Sequence, residues 1–201
     1  NAPVTVLRSA ATGAVVRKLE EGDVSRLKGI GWRPAQVFSV KARDGVTDIY
    51  GLLYLPPNID STKKYPIISH IYPGPQVGSV GAWSFKNGGE PFALAELGFI
   101  VIQLDHLGTP LRSKVFHDNY YGNFGDNGLP DHITAIKQLG AKYSYIDTDK
   151  VGIFGHSGGG FASTDAMLRY PDFFKVAVSG AGNHDNRTYN IYWAEKYQGL
   201  M

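Results

Sequence analysis

The stretch Lys150-Val-Gly-Ile-Phe-Gly155-His156-Ser157-Gly158-Gly159-Gly160-Phe-Ala-Ser163 decides the fold. Its apolar start predicts a strand over Lys150–Phe154, and its end predicts a helix over Gly158–Arg169. Between them lies G-x-S-x-G, in the strand-to-helix context that this motif requires. So sharp a turn strains the serine backbone and lifts the hydroxyl above the sheet. Gly155 and Gly159 leave room for the turn. The helix N-terminus then directs free N–H groups at a developing oxyanion, with the Gly158 N–H as the natural first donor. Ser157 is the candidate nucleophile. The plainer reading is a glycine loop that serves packing alone. A dinucleotide fingerprint fails because Ser163 stands where the last glycine belongs, and a phosphate loop fails because no Gly-Lys-Ser/Thr follows.

Outward from the elbow, strands and helices alternate. Upstream, Gln36–Ala42 and Thr47–Leu55 flank Asp44-Gly45, a hairpin signal. Tyr65–Tyr72 and Phe99–Leu104 read as strands, the latter a buried strand of the parallel-sheet type. Glu90–Leu97 is a short helix closed by Gly98, and Pro130–Tyr143 an amphipathic one. A long polar loop runs between Leu104 and Gly128. Downstream come a strand over Lys175–Ser179 and a helix over Arg187–Gln198. This order predicts an α/β domain with a mostly parallel sheet and helices on both faces. Residues 1–34 read as two short strands, Val4–Leu7 and Ala14–Leu19, and a linker. Such a hairpin has too little apolar surface to stand alone.

Composition bounds the function. The 201 residues suit one domain with an appendage. The 20 basic and 18 acidic residues are scattered, which argues against a nucleic-acid partner. With no cysteine, disulfides and thiolate chemistry are excluded. No apolar run is long enough for a transmembrane segment. No His and carboxylate grouping has metal-ligand spacing, so neither metal nor cofactor is implied.

An acyl-transfer serine needs a second oxyanion donor, which in α/β-hydrolases comes from the loop after the third strand. That loop here reads His70-Ile71-Tyr72-Pro73-Gly74-Pro75. Pro73 and Pro75 carry no N–H. The Tyr72 phenol can supply the donor instead; a tyrosine that merely packs beside the site is the alternative.

At this point the chain resembles the catalytic domain of the prolyl oligopeptidase family, nearest its dipeptidyl peptidase IV branch. The matching stretches are Leu53-Tyr-Leu-Pro-Pro-Asn, Lys64-Tyr-Pro-Ile-Ile, Ile71-Tyr-Pro-Gly-Pro, Gly155-His-Ser-Gly-Gly-Gly and Tyr189-Asn-Ile-Tyr-Trp-Ala-Glu-Lys-Tyr-Gln-Gly. The resemblance implies an α/β-hydrolase fold over residues 35–201, preceded in residues 1–34 by the last strands of a β-propeller. It implies that Ser157 is the nucleophile, that the Tyr72 hydroxyl and the Gly158 N–H hold the oxyanion, and that Tyr189 and Trp193 line the pocket for the residue before the scissile bond, commonly proline. Helix-face packing is the alternative for Tyr189 and Trp193, which stand four apart.

The implied activity of the parent protein is a serine peptidase acting on short peptides and releasing Xaa-Pro dipeptides. An esterase or lipase-like enzyme on the same fold and a non-catalytic binding protein are the rivals. The sheet is expected to be cut short after about its sixth strand, with the triad Asp and His beyond Met201. By itself the chain would then lack a general base. The resemblance further favours a periplasmic or secreted location and allows a homodimer of the full-length protein. Two departures stand out: the family usually carries a bulky residue where this chain has Gly158, and often Tyr where it has Trp193. His156 is expected to point away from the site, His184 to edge it, and Asp105 to cap a loop.

Overall fold

The computed structural model describes residues 2–81 and 85–200. It opens with an antiparallel pair, β1 (Val4–Arg8) and β2 (Val15–Glu21), whose side chains are almost all exposed. A short helix, α1 (Ser25–Gly29), follows, where the sequence suggested only a linker. Asp23 starts it by accepting from the Ser25 N–H at 2.8 Å. With five residues and none buried, α1 has no apolar periodicity to betray it.

The main sheet has six strands in the order β3-β4-β6-β5-β7-β8. β3 (Gln36–Lys41) and β4 (Asp48–Tyr54) form the expected hairpin, and Asp44 holds its turn by accepting from the N–H groups of Val46 (2.9 Å) and Thr47 (2.8 Å). β4 pairs antiparallel with β6 (Ile100–Asp105). From there the sheet is parallel through β5 (Tyr65–His70), β7 (Ile146–His156) and β8 (Phe174–Gly180). This is the α/β architecture expected, with β7 longer at both ends.

Successive strand residues face opposite sides. Ile67, Ile100, Ile102, Leu104, Val151 and Ile153 point into the main core, where Ala135, Ile136 and Leu139 of α4 (Leu129–Lys142) and Ala162 and Ala166 of α5 (Gly158–Arg169) meet them. Each fully buried Val, Leu or Ile side chain among these contributes about 1.5–3 kcal/mol. On the other face, Val101 and Tyr54 pack with Ala95 of α2 (Glu90–Glu96), joined by Phe92, Ile68 and Phe154. Farther along that face Val176 and Val178 of β8 remain 60% and 65% exposed. The loop after β6 is not structureless: it contains α3 (Lys114–His117), capped by Ser113, and a single 3-10 turn over Asp118–Tyr120. The last helix, α6 (Ile191–Gln198), begins later than expected because the Asn190 side chain caps it at the Tyr192 N–H.

A buried polar junction joins the hairpin turn, the end of β6 and the start of α4. Asp131, fully buried, accepts from the Arg43 N–H (2.8 Å) and the Leu107 N–H (2.9 Å). The Arg43 guanidinium lies 3.9 Å from the same carboxylate. His132 Nδ1 lies 2.5 Å from Ser69 Oγ, and His106 Nδ1 donates to the Leu107 carbonyl at 2.7 Å. Both rings are fully buried, and among the described residues neither Nε2 has a hydrogen-bond partner. Burial holds both imidazoles below their ordinary range, with His106 and His70 adding to the effect on His132. For His106, the Leu107 carbonyl, Asp131 and Asp105 oppose burial without overcoming it.

The sign follows from linkage. Both histidines bind a proton less readily folded than unfolded, where the pKa is about 6.5. The unfolded state therefore binds more protons, and stability falls as pH drops through that value. Urea titrations between about pH 7.5 and 5.5 are expected to show this loss, and His132→Gln to flatten it. A stability independent of pH over that window would contradict the burial of the pair.

Candidate active site

At the end of β7 the backbone turns within one residue. Ser157 has φ 57° and ψ −119°, a region that non-glycine residues enter at a cost of roughly 1–3 kcal/mol. The turn is held from both sides: the Ser157 N–H donates to the Gly180 carbonyl at 2.8 Å, and the Phe161 N–H donates to the Ser157 carbonyl at 3.0 Å. The side chain makes no capping bond to α5, which leaves its hydroxyl available.

The glycines around it are required by close approach. A Cβ on Gly155 would lie 2.4 Å from the Ile71 carbonyl oxygen, and one on Gly159 2.2 Å from the same atom. One on Gly160 would lie 2.3 Å from the Gly180 carbonyl oxygen. Gly158 differs. Its Cβ position is flanked by the Phe124 ring at 3.6 Å and the Tyr72 ring at 3.7 Å, which is ordinary contact. Gly158 thus has room for a Cβ between the two rings without a clash. Its N–H opens α5, where the first amides have no carbonyl partner within the helix and carry the positive end of its dipole.

Tyr72 follows β5 by two residues and is half-buried beside this turn. Its phenol oxygen accepts from Gln76 Nε2 at 2.7 Å. Burial pushes its pKa up; the Gln76 amide opposes this, the Tyr189 and Tyr197 phenols reinforce it and the Ser157 side chain opposes it weakly. At neutral pH Tyr72 is therefore a protonated hydrogen-bond donor.

Trp193 stands edge-on to three rings: Phe124 at 4.5 Å between centroids, and Tyr189 and Tyr197 each at 5.5 Å. Phe124 also stacks parallel to Phe161 at 6.1 Å. Tyr189 lies before α6, so its contact with Trp193 is not the helix-face packing that their spacing allowed. Two bonds tie the Phe124 loop to α6: the Phe124 N–H donates to Gln198 Oε1 (3.3 Å) and the Gly122 N–H to the Tyr197 carbonyl (3.4 Å).

The structure thus brings Ser157, Gly158 and Tyr72 together and joins them through Phe124 to Trp193 and Tyr189. Phe124, Tyr197 and Gln76 were not singled out from the sequence. Tyr197 carried a signal, four residues past Trp193 on one helix; Phe124, inside a polar loop, carried none. Among the described residues no histidine hydrogen-bonds Ser157, and no His/Asp/Glu group could hold a metal ion. His156 and His184 are exposed, and the His117 Nε2 lies 2.6 Å from the Pro75 carbonyl oxygen. Asp105 caps a loop: it accepts from the N–H groups of Ser79 (2.5 Å) and Val80 (3.0 Å).

A serine on a strained strand-to-helix turn at the carboxyl edge of a mostly parallel sheet defines an α/β-hydrolase fold. Residues 83–201 match the prolyl oligopeptidase family, and the chain belongs to it. Human dipeptidyl peptidase 8 is 35% identical over 173 residues, covering 84% of this chain and 19% of that protein. A Bacteroides ovatus structure assigned as a dipeptidyl aminopeptidase IV superposes with TM-score 0.85 at 28% identity, over 98% of this chain and 28% of that one. Porphyromonas gingivalis dipeptidyl peptidase 4 shares the fold with TM-score 0.81 at 24% identity, over the same shares, 98% and 28%. The family and the fold read from the quoted stretches are both borne out. The chain spans only about a fifth of the length of its human relative.

The glycines differ in what they tolerate. Gly159→Ala, clashing with backbone, is expected to cost roughly 3 kcal/mol or more, if it folds at all. Gly158→Ala is expected to stay within about 1 kcal/mol of the wild type, because its Cβ finds ordinary contacts and alanine favours the helix. Urea unfolding of both variants checks this; equal losses would contradict the described approach of β5 to α5.

Proposed function

We propose that the full-length protein bearing this chain is a serine peptidase that hydrolyses short peptides, releasing Xaa-Pro dipeptides. The observation that carries the reading is the strained Ser157 backbone at the start of α5, with the protonated Tyr72 beside it. Ser157 Oγ attacks the carbonyl carbon of the scissile amide as its proton passes to a general base. The carbonyl π electrons move to oxygen, and the Gly158 N–H and the Tyr72 O–H stabilise the resulting oxyanion. Collapse breaks the C–N bond, the base returns the proton to the leaving amine, and an ester on Ser157 remains. Water activated by the same base then hydrolyses it. The base and its orienting carboxylate are assigned to the parent protein outside the described residues.

The rings of Trp193, Tyr189, Phe124 and Tyr197 supply apolar walls suited to proline, a flat apolar ring whose imide nitrogen offers no proton. Residues 1–34 are proposed as the end of a preceding β-propeller, which the exposure of β1 and β2 supports, since an isolated hairpin is marginal.

Fluorophosphonate labelling of the full-length gene product, with Ser157→Ala as control, tests the nucleophile. Label confined to Ser157 is the expected result; a folded protein that takes none would favour a non-catalytic binding protein. A panel of Xaa-Pro and Xaa-Leu amides beside a simple acyl ester tests the class. Xaa-Pro amides are expected to lead by about tenfold or more in kcat/KM, whereas turnover of the ester alone would make the protein an esterase. Tyr72→Phe is expected to lower kcat by about 100-fold with KM little changed, as for loss of one oxyanion donor.

A further inference from the structure

We propose that Gln76 is a positioning residue for the oxyanion site: its side-chain amide donates to the Tyr72 phenol oxygen and so leaves the single Tyr72 O–H free for the charge developing at Ser157. The inference rests on the roles given above to Ser157 and Tyr72.

A phenol has one proton to give, and its oxygen also accepts. If the neighbour of Tyr72 were an acceptor, that proton would be spent on it in the resting enzyme. The neighbour is instead the Gln76 Nε2, 2.7 Å away, a donor. It occupies the lone pair and turns the proton elsewhere. A bond received by the phenol oxygen also favours its charge-bearing form, which strengthens the O–H as a donor. In this direction Gln76 works against burial and the Tyr189 and Tyr197 phenols.

The loop is built to hold this amide. Gly74 lets the chain fold back over Tyr72, because a Cβ there would lie 2.4 Å from the Tyr72 ring. Asp105 fastens the far side through the Ser79 and Val80 N–H groups. The His117 ring grips the Pro75 carbonyl. Pro73 and Pro75 have no N–H, so the side chain of Gln76 does what a backbone amide would otherwise do. Gln76 is itself exposed, so core packing does not explain its position.

Gln76→Glu keeps the shape and reverses the sense of the bond, and Gln76→Met keeps the bulk and removes the bond. Both are made in the full-length gene product and assayed on an Xaa-Pro amide. At about pH 8, Gln76→Glu is expected to lower kcat by about tenfold or more with KM near the wild type, because the carboxylate draws the Tyr72 proton to itself. Measured against the wild type at the same pH, the loss is expected to shrink as the carboxyl protonates. Gln76→Met is expected to lose about three- to tenfold at every pH. In a Tyr72→Phe background neither substitution is expected to cost more. Activity of Gln76→Glu equal to the wild type at about pH 8, or an undiminished loss in Tyr72→Phe, would overturn the proposal. Fluorophosphonate labelling separates the two levels. An unlabelled wild type overturns the peptidase reading and this one with it; a labelled wild type with an unaffected Gln76→Glu overturns the role of Gln76 alone.

Discussion

The approach of the Ile71 carbonyl to the first turn of α5 governs the site. Its oxygen fills the space that side chains at positions 155 and 159 would need. The contact clamps the end of β5 against the end of β7, and the Ile71 N–H adds a bond to the Phe154 carbonyl at 2.9 Å. Tyr72 is the next residue. The glycine pair that lets the chain turn at Ser157 therefore also brings the phenol beside it. Ser157 and Tyr72 are thus placed side by side by one backbone contact.

The aromatic wall has a different logic. Its rings come from the loop after β6, the segment before α6 and α6 itself. No one element fixes their arrangement. Edge-to-face pairs contribute about 0.5–1.5 kcal/mol each beyond buried area, and Trp193 makes three such contacts. Its neighbours are linked in turn by the Gln198 and Tyr197 backbone and side-chain bonds to the Phe124 loop. Gly158 joins the two regions, its Cβ position lying between the rings of Tyr72, just past β5, and Phe124, from the loop after β6.

Much of the sheet was legible because its strands are apolar and sharply bounded: Asp44-Gly45 closes one hairpin, and Gly98 closes α2 before β6. The elbow was legible because four glycines around one serine suit few other structures. The family resemblance, not periodicity, pointed to Tyr189 and Trp193. What escaped did so for physical reasons. α1 and α3 are too short to develop a periodic face. α6 starts at a cap rather than at the first residue that could be helical. His106 and His132 have polar side chains, and their burial depends on partners far along the chain, such as Ser69, 63 residues from His132. Phe124 is a core side chain within a polar sequence, buried by α5 and α6 rather than by its own neighbours.

The Asp131 carboxylate has a consequence in time. Its bond to the Arg43 N–H spans 88 residues of sequence. During synthesis at about 5–20 residues per second, Arg43 would leave the ribosome roughly 4–18 s before Asp131 does. For that interval the turn has no acceptor for the Arg43 amide except water. The nascent hairpin is consequently a provisional structure, and the birth of α4 is the event that makes it permanent.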